Sequence, residues 1–311
     1  MSVTRREFLA TGGAAALATL APSRLLAAIE QHAVQAPRAS SQMSWSQVRA
    51  QFLLAPGYLH FASFYIASHP RPVRHAIDSY RLALDAHPFL TVERNMFEAE
   101  HENLQRNVCE AVAAYTGGEA DQIALTGNTT TSLALVYNGL SFKPGDELLL
   151  TTHDHYSHHE AARFAAERHG ARTRRVALYE RPEDASVDEM VGRLRKAIRP
   201  ETRTVGVTWV HSSTGVRLPI RELAAAVKEA NRGRDEAHRA LLVVDGVHGL
   251  GAVDEQIADL GCDFFCAGTH KWMFAPRGTG IIWGRWESWP KLRPTIPTFS
   301  HLAAYEGWMG I

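Results

Sequence analysis

Four stretches of this 311-residue chain carry residue types that do chemistry. In "CDFFCAGTHKWMFAPRGTG", His270 and Lys271 stand between an apolar run and a small-residue turn. A lysine head beside an apolar run needs a partner or a task, because an unpaired buried charge is costly. In "ALLVVDGVHGLGAV", Asp245 ends an apolar run and His248 follows three positions on. In "TGNTTTS", Asn128, Thr129, Thr130 and Thr131 stand at a helix start. Their hydroxyls and free backbone N–H groups suit an anion, most simply a phosphate, although the same residues are ordinary helix caps. The fourth stretch, "HDHYSHHE", holds four histidines and a tyrosine. It has three readings. His155 and His159 on one helix face, with His153 and His158 nearby, could bind a metal. A flat imidazole could be presented to a flat ligand. The histidines could also simply be solvated.

Asp245 and Lys271, 26 residues apart, form a pairing with a chemical reason. A lysine condenses with an aldehyde cofactor to a Schiff base. A carboxylate keeps the ring nitrogen of that cofactor protonated, so that the ring acts as an electron sink. A phosphate belongs at a helix start, and an imidazole stacks on a ring face. Together these are the needs of pyridoxal 5′-phosphate. The bland alternative for Lys271 is a structural ion pair.

The elements that must position these residues follow from periodicity. Strands are predicted at "QIALTG", "DELLLTT", "RTRRVAL", "TRTVGVTWV", "ALLVVDG", "DFFCAG" and "GTGIIWG". Helices alternate with them at "TTTSLALVYNGL", "HHEAARFAAERHG", "VDEMVGRLRKAI" and "IRELAAAVKEANR". This alternation predicts an α/β fold, a mainly parallel sheet sandwiched by helices. In such sheets ligands sit beyond the carboxyl ends of the strands, where all four stretches fall. Upstream, residues 31–57 read as polar and helix-like, and "GYLHFASFYIASHPRPV" as a short extended stretch broken by prolines. Helices are expected at "VRHAIDSYRLALDAH" and, in one run, at "FEAEHENLQRNVCEAVAAYTGG".

"VDGVHGLGAV" taken with "DFFCAGTHKWMFAPRGTG" resembles the class V aminotransferase-fold proteins, a branch of the fold-type I pyridoxal-phosphate enzymes. The branch includes cysteine desulfurases and isopenicillin N epimerase-like proteins, and the resemblance covers roughly residues 50 to 295. It implies Lys271 as the Schiff-base lysine and Asp245 as the partner of the pyridine nitrogen. It places His248 beside the ring hydroxyl, and Thr129, Thr130 and His270 at the phosphate. His155 would stack on the ring, with His153 as the alternative register. Gly278 and Thr279 would reach the phosphate of a neighbouring subunit, which implies a homodimer with shared sites. The substrate would be a small amino acid or amine, handled at its α-carbon by an aminotransferase or an epimerase. An exported metal-dependent hydrolase using the histidine cluster, and a non-catalytic remnant that binds the cofactor, are the competing readings. The resemblance also implies a C-terminal small domain that supplies an arginine for the substrate carboxylate and, in desulfurases, a loop cysteine. Neither is assignable here, so the chain is expected to be a fragment or an inactive copy.

The totals agree with a globular enzyme. Equal numbers of basic and acidic side chains, 33 of each, give no basic excess for a nucleic-acid partner. The three cysteines, Cys109, Cys262 and Cys266, form no disulfide framework or zinc knuckle and are expected to be buried. Residues 1–28 read as an export signal, 29–60 as an N-terminal segment, 61–295 as the cofactor-binding large domain, and 296–311 as the start of the small domain. In the signal, Arg5 and Arg6 precede an apolar stretch from Phe8 to Pro22 that is short for a membrane span, the pattern of a twin-arginine (Tat) signal. The Tat translocase is therefore an expected partner, and the expected location is periplasmic or extracellular. Changing Arg5 and Arg6 together to lysine should hold the precursor in the cytoplasm in a fractionation experiment; continued export of the Lys-Lys form would point to the Sec route.

Overall fold

The computed structural model describes residues 43–97, 103–297, 307, 309 and 310. The signal expected at 1–28 lies outside the described residues. Near the amino end, α1 (Trp45–Arg49) opens on a capping box at Ser44. It is followed by α2 (Arg71–Ala86) and α3 (Pro88–Phe97). Within 43–57 only α1 is helical, so the expected longer helix there is not formed. The stretch after it makes turns and one antiparallel bridge, Phe52 to Pro70, rather than a strand. Prolines there remove the donors a ladder needs. The expected single helix from Phe97 onward is divided. Helix α4 (Leu104–Thr116) has a start of its own, where the Asn103 side chain accepts from the N–H groups of Gln105 and Arg106.

The seven predicted strands all form. They are β1 (Ile123–Thr126), β2 (Glu147–Thr151), β3 (Arg172–Val176), β4 (Thr202–Thr208), β5 (Leu241–Asp245), β6 (Phe264–Gly268) and β7 (Gly280–Gly284). They lie in the order β1-β7-β6-β5-β4-β2-β3. All neighbours are parallel except β7, which runs antiparallel to both β1 and β6. Four helices cross over between strands: α5 (Thr129–Gly139), α6 (Tyr156–His169), α7 (Val187–Ala197) and α8 (Ile220–Ala230).

Period-two alternation in the strands divides the core. Leu149, Val205, Val207, Leu242, Val244 and Phe265 face α4, α7 and α8. Leu148, Leu150, Leu241, Val243 and Phe264 face α5 and α6. Both faces are covered, so β2, β5, β6 and β7 are buried at every position and read as unbroken apolar runs. Cys262 and Cys266 are buried as expected, but Cys109 is only half-buried, because its thiol sits on the rim of α4 and donates to the Ile123 carbonyl at 3.7 Å.

At the amino end of β2, buried Glu147 accepts two bonds from Arg174, both at 2.8 Å, and one from Thr202 at 2.9 Å. At its carboxyl end, Asp154 clamps two strands. One carboxylate oxygen accepts from the Thr151 N–H at 2.7 Å and the other from the Thr208 N–H at 2.8 Å. Burial pushes the Asp154 carboxyl up to about 7, against the pull of these donors. The clamp fixes the backbone from which the histidine stretch departs. Asp154→Ala should leave two buried N–H groups unpaired and cost about 2–5 kcal/mol in urea unfolding, and Asp154→Asn, with one accepting arm, about half of that. A change within error for both would show that the clamp carries no weight.

Candidate active site

Parallel strands bring their carboxyl ends to one edge of the sheet, and β7, running the other way, brings its amino end. Lys271 lies three residues beyond β6, and Asp245 is the last residue of the neighbouring β5. Asp245 is 2% exposed, and one of its oxygens accepts from the Val247 N–H at 3.1 Å. Burial raises its carboxyl to about 6, while that N–H and the Lys271 charge pull it down. Lys271 is held below the ordinary lysine range by burial, which the Asp245 charge partly offsets. Its Nζ lies 3.4 Å from His248 Nε2. Burial, then the charges of Lys271 and His155, lower the His248 ring to about 4, so it is neutral at physiological pH. Sequence reasoning thus placed Lys271, Asp245 and His248 in one cluster, and the fold brings them together.

His155 is the N-cap of α6, with Nδ1 accepting from the Ser157 N–H at 3.3 Å. Burial first, and then the charges of Lys271 and His159, lower its pKa, so the ring lies within electrostatic reach of Lys271. The other histidines of the stretch diverge. His153 stacks on Tyr179 with ring centroids 4.2 Å apart and planes 7° from parallel. His158 is buried and bonded to the Tyr137 hydroxyl at 2.8 Å, and His159 donates from Nε2 to the Thr151 carbonyl at 2.8 Å. A shared metal needs their nitrogens to converge, and among the described residues no group of three His, Cys, Asp or Glu side chains is arranged to hold an ion.

The phosphate candidates form a cradle. Asn128 caps α5 by accepting from the Thr131 N–H at 2.8 Å, and the Thr129 hydroxyl accepts from the Gly268 N–H at 2.7 Å. The hydroxyl proton of Thr129 remains available to a ligand. His270 folds back over Gly268, so closely that a Cβ there would lie 2.8 Å from its Cε1 and 3.1 Å from its Nδ1. His270 Nδ1 is buried without a hydrogen-bond partner. A buried polar nitrogen without a partner, beside a hydroxyl and a helix N-terminus, fits an anion. Thr130 is exposed on the first turn of α5. The Thr279 hydroxyl is engaged within its own loop, with Thr269 and with the Pro276 carbonyl. Gly278 lies in open space at φ 76°.

Residues that the sequence reading passed over complete the surroundings. Beyond Asp154, the ring of His211 is fully buried, with Nδ1 bonded to the Tyr179 hydroxyl at 2.7 Å. His211 Nε2 stands 3.9 Å from Asp154, and Tyr179 also meets the Thr214 hydroxyl at 2.8 Å. Only the position of His211 and Asp154 at strand ends could have marked them beforehand. Gly268, at the end of an apolar run, carried no signal of its own.

A mixed sheet with this strand-edge cluster is the frame of a pyridoxal-phosphate enzyme of the fold-type I kind, and the aminotransferase class-V family model matches residues 67–301. The chain belongs to that family. It is 29% identical over 238 residues to an isopenicillin N epimerase of Streptomyces clavuligerus, covering 76% of this chain and 56% of the epimerase. To a cysteine desulfurase of Pectobacterium atrosepticum it is 28% identical over 258 residues, covering 81% and 58%. Among solved structures, the fold is shared with an apo cysteine desulfurase of Thermococcus onnurineus NA1, at TM-score 0.67 and 23% identity, covering 82% of this chain and 60% of that one. A C-DES mutant with glycine covalently linked to its PLP cofactor superposes with TM-score 0.68 at 22% identity, covering 79% and 62%. The chain therefore spans about three fifths of the length of the relatives it matches.

Lys271, Asp245, and the cradle of the Thr129 hydroxyl, Gly268 and the unpaired His270 nitrogen carry the donor types that pyridoxal 5′-phosphate would need. Gly268→Ala should push the His270 ring out of the cradle and weaken binding of pyridoxal 5′-phosphate about tenfold, the size of roughly one hydrogen bond to a charged group. Absorbance titration reads this, and affinity equal to the parent would remove the cradle from the phosphate site.

Proposed function

We propose that this chain is a pyridoxal-phosphate-dependent enzyme acting at the α-carbon of a small amino acid or amine, by transamination or epimerisation. The observation that carries the proposal is the placement of a lysine with a lowered pKa beside a neutral histidine and under the charge of a buried aspartate. When bound, the cofactor's ring supplies an electron sink for the pair left at the α-carbon. Lys271, partly buried and with its pKa lowered by burial, is the group to take and return the α-proton in its neutral form. Asp245 is the group to hold a proton on the ring nitrogen, since a buried carboxylate with one N–H donor favours a cationic neighbour. His155 at the rim is the ring to lie over the cofactor. The names of the relatives, an epimerase and a desulfurase, support amino-acid chemistry.

The proposal extends to a homodimer and to export by the Tat route. The dimer is supported by large apolar side chains left exposed in the segment that leads to Ala67, among them Leu59 at 84%, Phe61 at 83% and Tyr65 at 76%. Export rests on Arg5 and Arg6 with the short apolar stretch from Phe8 to Pro22 that follows them.

Borohydride treatment of the chain incubated with pyridoxal 5′-phosphate should fix the pyridoxyl group on Lys271, as read by peptide mass spectrometry. Label on another lysine would remove Lys271 from this role. Asp245→Asn should slow exchange of the substrate α-proton about 10- to 100-fold, in line with a lost hydrogen bond to a charged group. Equal exchange rates would remove Asp245 from the ring nitrogen.

A further inference from the structure

We propose that Trp272 sets the tautomer of His248 and, through it, holds Lys271 as a neutral amine. The Trp272 indole N–H donates to His248 Nδ1 at 3.1 Å. An indole nitrogen can only donate, so Nδ1 must present its lone pair. A neutral imidazole then carries its proton on Nε2. That nitrogen is the one 3.4 Å from Lys271 Nζ. An N–H on Nε2 finds an acceptor in Nζ only when the amine is unprotonated. An ammonium there would set N–H against N–H. With the indole in place, the imidazole therefore favours the neutral lysine; without it, the ring is free to turn an Nε2 lone pair toward Nζ and favour the ammonium.

The two loops that carry this contact are locked together. Gly251, three residues past His248, has φ 83°, and a Cβ there would come within 2.7 Å of the Trp272 carbonyl. A side chain at that position would push the loops apart, so the backbone approach that delivers the indole to the imidazole depends on glycine. The charged and titratable groups facing the pair are Asp245 from β5, His155 from the start of α6, and His270 next to Lys271. Asp245 favours the ammonium, whereas burial and the imidazole N–H oppose it. Trp272 touches neither substrate nor reacting atom in this scheme, and is a positioning residue.

The inference rests on the assignment of Lys271 in the proposed function, but it is tested on the full 311-residue chain cleared of carbonyl ligands, so a failure to trap the cofactor leaves the test intact. Long-range proton–nitrogen NMR on ¹⁵N-histidine-labelled protein, with the His248 signal assigned by its loss in His248→Gln, reads the tautomer directly. Reductive methylation across a pH series, quantified per lysine by mass spectrometry, reads the Lys271 pKa. The parent should show His248 neutral with the proton on Nε2. In Trp272→Phe that preference should be lost, and the Lys271 pKa should rise by about one unit, the size of about one hydrogen bond. Below that pKa, labelling of Lys271 should then fall about tenfold, with other lysines unchanged. If Trp272→Phe does not fold, benzothienylalanine at the same position keeps the shape and removes only the N–H. A parent His248 with its proton on Nδ1, or a variant with unchanged tautomer and unchanged Lys271 pKa, overturns the proposal.

Discussion

A carboxylate buried at the end of a central strand is the constraint around which this site is arranged. Asp245 sits where β4, β5 and β6 run side by side, nearly without solvent, and takes one backbone N–H. Ionising it there is costly, so the surroundings must supply positive charge or accept a proton. Lys271, in the loop that follows the neighbouring strand β6, answers that need only partly, because it is itself half-buried and its pKa is lowered. The pair is therefore poised rather than locked as a full salt bridge. Such balance is a property of sites where protons move, and it separates this pair from the structural Glu147–Arg174 pair at the opposite edge of the sheet.

The polypeptide around Lys271 is held from several sides. The Gly268 N–H is tied to Thr129 on α5, and the Thr269 N–H to the Thr279 carbonyl at the start of β7. From the amino-terminal segment, the Ala67 N–H donates to the His270 carbonyl at 3.3 Å, and the Phe52 ring meets the Phe274 ring edge-on at 5.3 Å. Phe274 has φ 57°, an unfavourable backbone for a bulky residue, and its N–H closes a turn onto the Lys271 carbonyl at 3.1 Å. Strain of this kind persists where neighbouring contacts over-determine the conformation, and here they surround the lysine. The amino-terminal segment is thereby part of the site's support, although none of its described residues joins the sheet.

The histidine-rich stretch shows how one sequence feature divides into separate tasks. The four imidazoles occupy a strand-to-helix junction, His153 and His155 before α6 and His158 and His159 within its first turn. His158 and His159 go into the space between α6 and the sheet, where they satisfy Tyr137 and the Thr151 carbonyl. His153 joins Tyr179 and His211 in a buried aromatic group behind Asp154. His155 alone is left exposed, within electrostatic reach of Lys271.

The sequence by itself determined the alternation of strands and helices, because unbroken apolar runs such as "LLVVD" and "FFCAG" have no other stable place than a sheet covered on both faces. It also determined the pairing of Asp245 with Lys271, since their types and strand-end positions have few other chemical uses. Local signals failed in the amino-terminal segment, where prolines and mixed polarity leave the outcome to packing against the lysine loop. Tertiary structure alone decided which histidine faces the lysine, because four neighbours in one turn look alike until the packing of α6 assigns each a direction. It decided as well that Asp154 joins two strands, that a glycine at the end of β6 makes room for His270, and that an indole meets His248. Those contacts join residues far apart in the chain, at distances set by the sheet and not by sequence spacing.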